Sequence, residues 1–232
     1  MALTNGPRFD SQVNSIVSSG LVLHLDAINA SSYPGTGTTW FDLSPSGLNA
    51  TGSTAISGQS LLSNQPYTTA STSILNNDSH TICMLLQISS VTGTWDKVFE
   101  YAPAGTDRSP GIWRFPLAKR IHWRYDASNS GTDFDATTTS STDPTGEELT
   151  NNKWYYACVS KNGNVATVYM NGAKFGTNIV TSPKFAGTST IKLYPAYTDS
   201  NSRMQAVHIY NRVLSDAEIK QNFRYLMNTR TL

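Results

Sequence analysis

The acidic residues are the first candidates for chemistry, because a pair of carboxylates carries out glycoside hydrolysis. The two carboxyl groups lie about 5–5.5 Å apart in retaining enzymes and about 6.5–9.5 Å apart in inverting ones. Asp133 and Asp135 alternate as acids on a strand would, but they stand in a Ser/Thr-rich stretch without a third acid. Glu100 stands alone, and the adjacent Glu147 and Glu148 would point apart on a strand. We therefore expect no enzyme, and a hydrolase hypothesis would have to use Glu100, Asp133 and Asp135.

Other catalytic and metal-binding patterns are also missing from the sequence. A serine nucleophile would need a Gly-x-Ser-x-Gly turn, and PGTGTTW lacks the lysine of a phosphate-binding loop. The four histidines, His24, His80, His122 and His208, do not have metal-ligand spacing. No cofactor is predicted apart from calcium, which carboxylates in loops could hold. The weak candidate ligands are Asp26, Asp42 and Asp96.

Carbohydrate binding has more physical support, because sugars offer apolar faces to aromatic rings and hydroxyl groups to polar side chains. Five tryptophans are present. Trp40, Trp113, Trp123 and Trp154 are interpreted as core residues, whereas Trp95 lies between two predicted strands and is the best candidate for an exposed ring. The predicted glycan-binding residues are Trp95, Asp96, Tyr101, Arg114, His122 and Arg124. For Arg114 and Arg124, a solvated outer face is an equally good interpretation.

The bulk composition limits the classes of partner. Of the 232 residues, 38% are hydrophobic and only 14% are charged, with a net charge of +1. Nucleic-acid binding needs a larger basic surface than this sequence provides. No signal peptide and no apolar run of about 18 residues is visible, so we expect a product made in the cytoplasm that does not insert into membranes. Cys83 and Cys158 lie in apolar runs and are interpreted as buried free thiols, with a disulfide as the alternative.

Strand patterns dominate the chain. LVLHLD from Leu21 has alternating leucines, and SHTICMLLQISS (79–90) is the longest apolar run and predicts a central strand buried on both faces. GIWRF (111–115) and IHWRYDA (121–127) predict a hairpin, with Trp113, Phe115, Ile121, Trp123 and Tyr125 on one face. Arg114, His122 and Arg124 are expected on the other face. The polar stretch 128–152 predicts a surface excursion.

The last third of the chain carries the clearest local signals. Two Asn-Gly pairs, Asn162-Gly163 and Asn171-Gly172, separate three β-rich runs and predict a three-stranded meander. Ser215 and Glu218 form a capping box, which predicts a helix from about Asp216 to Met227. The sequence thus predicts an all-β, two-sheet antiparallel jelly-roll sandwich with one short C-terminal helix. Residues 1–19 are expected to form an N-terminal arm or docking segment, and 20–232 a single domain.

Three stretches resemble concanavalin A-like, laminin-G-like jelly rolls. They are LVLHLDAINASSYPGTGTTWFDLSPSGLNAT, NKWYYACVSKNGNVATVYMNGAKFG and MQAVHIYNRVLSDAEIKQNF. The resemblance implies a concanavalin A-like fold, which hosts lectins, adhesion domains and glycanases. The opening stretch, Leu21–Thr51, is also similar to phage capsid-decoration, tail and fibre proteins.

That second similarity implies a function and a location. We expect a non-enzymatic structural or adhesion module of a virion, in contact with capsid or tail proteins and assembled as a homo-oligomer. Binding of cell-surface glycans is compatible with this role. The alternatives are a free-standing carbohydrate-binding lectin and, third, a glycoside hydrolase.

Overall fold

The computed structural model of the chain describes residues 14–62, 66–89, 93–103, 110–114, 121–124, 149–179, 187–195 and 201–230. Within these ranges it forms strands and one helix. The strands are β1 Leu21–Asp26, β2 Thr39–Trp40, β3 Ala50–Thr51, β4 Leu61–Leu62, β5 Tyr67–Thr69, β6 Ser79–Gln87, β7 Asp96–Tyr101, β8 Gly111–Arg114, β9 Ile121–Arg124, β10 Trp154–Asn162, β11 Val165–Met170, β12 Ala173–Ile179, β13 Ile191–Leu193 and β14 Arg203–Tyr210. The helix α1 spans Asp216–Thr229.

Two antiparallel sheets form the sandwich that the strand patterns predict. The first, which we call the helix-bearing sheet, has the order β1-β14-β6-β10-β11-β12, with β4 also paired to β14. The second sheet has the order β2-β3-β5-β13-β7-β8-β9. Apolar residues from both sheets form one continuous core between them, including Trp40, Tyr67, Met84, Trp123 and Val207. The predicted fold class is therefore confirmed.

Strand β6 is the centre of the helix-bearing sheet. It pairs with β10 along its whole length on one side and with β14 on the other. Ile82, Met84 and Leu86 point into the core between the sheets, while Cys83 and Leu85 belong to a second apolar cluster on the outer face. The prediction of a central strand buried on both faces is confirmed, and the described cysteines are free and buried.

Helix α1 covers that outer cluster. Ser215 caps the helix and Glu218 reaches back to it, as the capping-box pattern predicts. Ile219 and Leu226 bury their side chains against the sheet. The entry segment of the chain is docked on the same surface, because Val17 N donates to Asn222 Oδ1 (2.8 Å) and Tyr210 Oη donates to the Val17 carbonyl (3.0 Å).

The two Asn-Gly pairs make different turns. Asn171 and Gly172 both have left-handed backbone (φ +53° and +78°) and form the two-residue connection between β11 and β12. Asn162, in contrast, is the last residue of β10 and pairs with Val165, so the turn residues are Gly163 (φ +55°) and Asn164. The meander is confirmed, with its first turn one residue later than the Asn-Gly pair.

The predicted face assignment of the β8–β9 hairpin is wrong. Trp113 pairs with His122, and Arg114 pairs with Ile121. Paired residues of antiparallel strands point to the same face, and here each pair joins an even-numbered residue to an odd-numbered one. Even positions on β8 therefore share a face with odd positions on β9. Arg114 consequently faces the interior together with Ile121 and Trp123, and Trp113 lies on the opposite face.

No helix in the described parts of the chain is long and apolar enough to cross a membrane.

Two buried histidines, His80 and His208, and the partly buried His24 should make the stability of the fold dependent on pH. Burial lowers the pKa of His80 to about 4, and burial also lowers the pKa of His24 and of His208. In the unfolded chain a histidine has a pKa near 6.5, so below that pH the unfolded state binds protons that the folded state does not. The free energy of unfolding should therefore fall as the pH drops from 7 to 5, by up to about 2 kcal/mol per histidine.

Urea unfolding at pH 7 and pH 5 measures this effect. His80→Gln and, separately, His208→Gln should each make the loss of stability on acidification smaller than in the unmodified protein. Equal losses in all three proteins would show that these histidines do not cause the pH dependence.

Candidate functional site

A polar pocket lies at one end of the helix-bearing sheet, and we call it the amide pocket. It encloses about 660 Å³, within the range typical of ligand sites. Its walls carry five carboxamide side chains, those of Gln59, Gln87, Asn152, Asn201 and Gln205. Ser60, Ser89, Trp154 and Arg203 also line it. The pocket thus combines neutral groups that donate and accept hydrogen bonds with one aromatic ring and one positive charge.

The pairing of three strands places Gln87, Trp154 and Arg203 side by side in one wall of the pocket. Gln87 is the last residue of β6 and pairs with Trp154, the first residue of β10, on one side. On its other side Gln87 pairs with Arg203, the first residue of β14. Directly paired residues of antiparallel strands point to the same face, so these three side chains form a row across the sheet. Their face is the outer one, because the neighbouring Leu86 and Met204 point into the core.

Two turns with left-handed backbone close the pocket. Gly58 and Gln59 both have φ +59° and connect Ser57 to Ser60, which form an isolated bridge. Asn152, on the opposite wall, also has φ +59°. A glutamine in this conformation is uncommon, since glycine and asparagine are the residues that tolerate it. Positive φ at non-glycine residues tends to cluster at binding and catalytic sites.

A series of polar contacts connects the Gly58–Gln59 turn of the pocket to the C-terminal end of α1. Arg230, just after α1, forms a buried ion pair with Asp26 (2.7 Å). Arg230 Nε also donates to Gln205 Oε1 (2.9 Å), and Gln205 Nε2 donates to the Gln59 carbonyl (3.3 Å). The Gly58–Gln59 turn is thus held by the helix terminus through Gln205.

Several polar groups remain available to a ligand. Gln87 Nε2 donates to the Asn152 carbonyl (2.7 Å), which orients the Gln87 side chain and leaves its Oε1 as an acceptor. The hydroxyl of Ser60 has no hydrogen-bond partner, although Ser60 is only 1% exposed. An unsatisfied buried hydroxyl is costly, and a ligand oxygen or nitrogen would relieve that cost.

A second pocket of about 360 Å³ shares the Gly58–Gln59 turn with the first. Its lining is mainly apolar and includes Ala27, Ile28, Tyr33 and Ile56. The opening loop that contains Tyr33 therefore borders a cavity next to the amide pocket. We call this cavity the Tyr33 pocket.

The structure does not bring the sequence-predicted glycan residues into one open surface. Trp95 is 49% exposed, in agreement with the prediction of an exposed ring. Asp96 and Arg114 are fully buried and form an ion pair with each other on the inner side of the second sheet. Burial between the sheets puts both residues out of reach of a ligand at the surface.

The other predicted residues have varied positions. Tyr101 is buried, and its hydroxyl donates to the Thr72 carbonyl (2.9 Å) at the core edge. His122 and Arg124 lie on β9, paired with Trp113 and Gly111, and their side chains lie outside the described part.

Of the hydrolase acids, Asp133 and Asp135 also lie outside the described residues. The Glu100 carboxylate is bound by Lys97 and Lys192 at 2.6 and 2.7 Å.

Each of the three acids named as calcium candidates is bound by other groups of the protein. Asp26 pairs with Arg230 and Asp96 with Arg114. The Asp42 carboxylate accepts hydrogen bonds from His24 N, Ser44 N, Ser44 Oγ and Leu48 N, all at 2.8 Å. Among the described residues no group of three or more His, Cys, Asp or Glu is arranged to hold a metal ion.

Sequence reasoning missed most of the amide pocket. The sequence predicts Trp154 as a core residue, and it does pack against the outer apolar cluster, but it is only partly buried and also lines the pocket. The carboxamides come from separate segments of the chain, and only the strand pairing and two turns bring them together. A tryptophan at the very start of a strand was the one local signal available.

Comparison with known proteins identifies a family. A laminin-G-type family model, described as the concanavalin A-like lectin/glucanases superfamily, matches residues 62–220, more than half of the chain. The matched range contains β6, β10, β14 and most of the pocket-lining residues. No curated protein matches the chain.

Several solved structures share the fold. Trypanosoma rangeli sialidase superimposes with a TM-score of 0.65 at 16% identity, over 94% of this chain and 34% of that one. The binding domain of botulinum neurotoxin serotype D gives 0.64 at 15% identity, over 89% and 52%. The binding domain of Paraclostridial Mosquitocidal Protein 1 gives 0.61 at 16% identity, over 90% and 53%. The chain thus spans about a third to a half of these proteins, and at such identities the similarity shows the fold alone.

The contacts of Asp42 predict a structural role. Asp42→Ala would leave three backbone N–H groups without their acceptor, that of His24 on β1 and those of Ser44 and Leu48 in the loop that follows, and should lower the free energy of unfolding by about 2–3 kcal/mol. Ser44→Ala, which removes only one of the donors, should cost about 1 kcal/mol. Urea unfolding measures both, and an Asp42→Ala protein as stable as the unmodified one would contradict this assignment.

Proposed function

The chain belongs to the concanavalin A-like lectin/glucanase superfamily, and on that premise we propose that it is a non-enzymatic carbohydrate-binding module with the amide pocket as its sugar site. The observation that carries this proposal is the concentration of five carboxamides around one pocket on the outer face of the sheet. Each carboxamide has donors and an acceptor on one planar group, which suits neighbouring sugar hydroxyls.

Trp154 supplies the second element of sugar recognition. Its indole ring lies beside Gln87 in the row across the sheet and is only partly buried. An indole offers a flat apolar surface on which the C–H face of a sugar ring can stack. The carboxamides around Trp154 could then form hydrogen bonds with the hydroxyl groups of a sugar whose C–H face is stacked on the indole.

The non-enzymatic part of the proposal rests on the charges of the site. The described residues that line the amide pocket include no aspartate and no glutamate. Glycoside hydrolysis generally needs two carboxyl groups on either side of the bond to be cleaved. Two of the similar structures are the binding domains of botulinum neurotoxin serotype D and of Paraclostridial Mosquitocidal Protein 1, which is in keeping with a binding role for this fold.

We also propose, as a wider context, that the module is a homo-oligomeric part of a virion that contacts capsid or tail proteins and reaches cell-surface glycans. The similarity of Leu21–Thr51 to phage structural proteins supports this proposal. Mass spectrometry of purified virions from cells that produce the protein tests it. Absence of the protein from the particles would reject the virion role and favour a free-standing lectin.

Replacement of two tryptophans tests the sugar site. Trp154→Ala should weaken binding to any sugar that a glycan array identifies by at least about tenfold, because the variant loses the stacking surface. Trp95→Ala, which removes an exposed indole of the second sheet, is the matched control and should bind as the unmodified protein does. Isothermal titration calorimetry measures both, and thermal unfolding checks that each variant is folded.

The reverse result would be equally informative. Binding that is lost in Trp95→Ala and kept in Trp154→Ala would move the site to Trp95, one of the glycan-binding residues that the sequence predicts. An array without any binder, with and without calcium, would reject carbohydrate binding. Release of reducing sugar from a bound glycan would reject the non-enzymatic assignment.

A further inference from the structure

We propose that the amide pocket selects a sugar residue that carries a carboxylate, and that Arg203 is the group that binds this carboxylate. The inference rests on the proposed carbohydrate-binding function and specifies its ligand class. It starts from the state of Arg203, which differs from that of most other arginines in the described parts of the chain. Arg114, Arg212 and Arg230 each form an ion pair with a protein carboxylate.

Arg203 has neither an ion pair nor a hydrogen bond to any described residue, although it is half-buried. Its backbone is fixed from two sides, by pairing with Gln87 on β6 and with Leu62 on β4. Its guanidinium lies against the turn at the pocket wall, since a Cβ placed on Gly58 would be 3.5 Å from Arg203 Nη1. A positive charge is therefore held in the pocket without a counter-charge from any described residue.

The other described residues of the pocket supply no negative charge to compensate Arg203. The other described lining residues are neutral, namely carboxamides, serines, one glycine and Trp154. A positive charge in a partly enclosed site attracts an anion more strongly than the same charge on an open surface, because water screens it less. The planar guanidinium matches the two oxygens of a carboxylate with two parallel N–H groups.

Ser60 provides an independent observation. It directly precedes β4, the strand that pairs with β14 at Arg203, and it lines the same pocket. Its hydroxyl is buried without a partner, so the pocket holds an unused donor as well as an unused cation. Together they can bind the two oxygens of a carboxylate, or the carboxylate and an adjacent hydroxyl, while the carboxamides bind the rest of the sugar.

Carboxylates occur on sialic acids and on uronic acids, and two probe pairs separate these sources. The probes are sialyllactose and an oligogalacturonate, each compared by isothermal titration calorimetry with its own carboxyl methyl ester. The ester keeps the sugar and removes only the charge. We expect at least one of the two acids to bind about tenfold or more tightly than its ester, with an affinity that falls as salt is added.

Substitutions at Arg203 then assign the effect. Arg203→Gln should reduce the preference for the acid over the ester to less than about twofold, and Arg203→Lys should keep part of it, because lysine retains the charge without the planar fork. Arg224→Gln is the matched control. Arg224 also has no ion pair among the described residues, but it lies on α1 and does not line the pocket. Its substitution should leave the preference unchanged, and circular dichroism confirms that the variants are folded.

The outcomes separate this inference from the function on which it rests. Equal binding of acid and ester, binding of sulfated sugars only, or an unchanged preference in Arg203→Gln would overturn the carboxylate assignment. If Trp154→Ala still abolished binding in those cases, the carbohydrate-binding function would stand. A protein that bound none of the acidic, neutral or sulfated sugars would reject both.

Discussion

The register of β6 between β10 and β14 is the constraint on which both the core and the pocket depend. Residues 81–87 of β6 are paired along both edges, and Ile82 to Leu86 are buried on alternating faces, so each of these five side chains lies in one of two apolar clusters. A shift of one residue would exchange the two sets, moving Met84 to the outer face and Cys83 into the core between the sheets. The same shift would remove Gln87 from its row with Trp154 and Arg203. The packing that makes the domain stable therefore also sets the geometry of its pocket.

The pocket lies where the apolar strands end. Leu86, Tyr155 and Met204 are the last core residues of their strands at this end, and the next position on each is polar or amphipathic. The loops that continue from them carry left-handed residues and exposed carboxamides, which a core could not hold. These loops are still not free, because Asp26, Arg230 and Gln205 connect the turn at Gln59 to the end of the helix. A preorganised polar site of this kind loses less conformational entropy on binding than a mobile loop would.

The sequence predicts the fold well because the decisive signals are local. The capping box at Ser215, the apolar run of β6 and the Asn-Gly turns each act within a few residues, and each appears in the structure where predicted or one residue away. The pocket is different, since Gln59, Gln87 and Gln205 share no spacing and meet only through pairing between distant segments. The face assignment predicted for the β8–β9 hairpin is wrong for a related reason. Alternation within each strand is predicted correctly, but the number of residues between the two strands decides which faces coincide. The observed pairing places Arg114 on the inner face and Trp113 on the outer face.

The burial of Asp96 and Arg114 shows why residue type alone misplaced the site. Charged residues on a strand next to aromatic ones resemble a sugar-binding face, yet these two satisfy each other inside the sandwich. Arg203 also lies at one end of a strand, but no carboxylate among the described residues pairs with it. The informative property of a charged residue is thus whether the fold supplies its counter-charge, and this depends on long-range pairing.

In the opening loop, Asp42 has its hydrogen bonds satisfied by the backbone and holds the loop, while Tyr33 borders the pocket beyond the Gly58–Gln59 turn. Because that turn forms a wall of both cavities, a ligand that fixed it in the amide pocket would also fix the wall of the Tyr33 pocket.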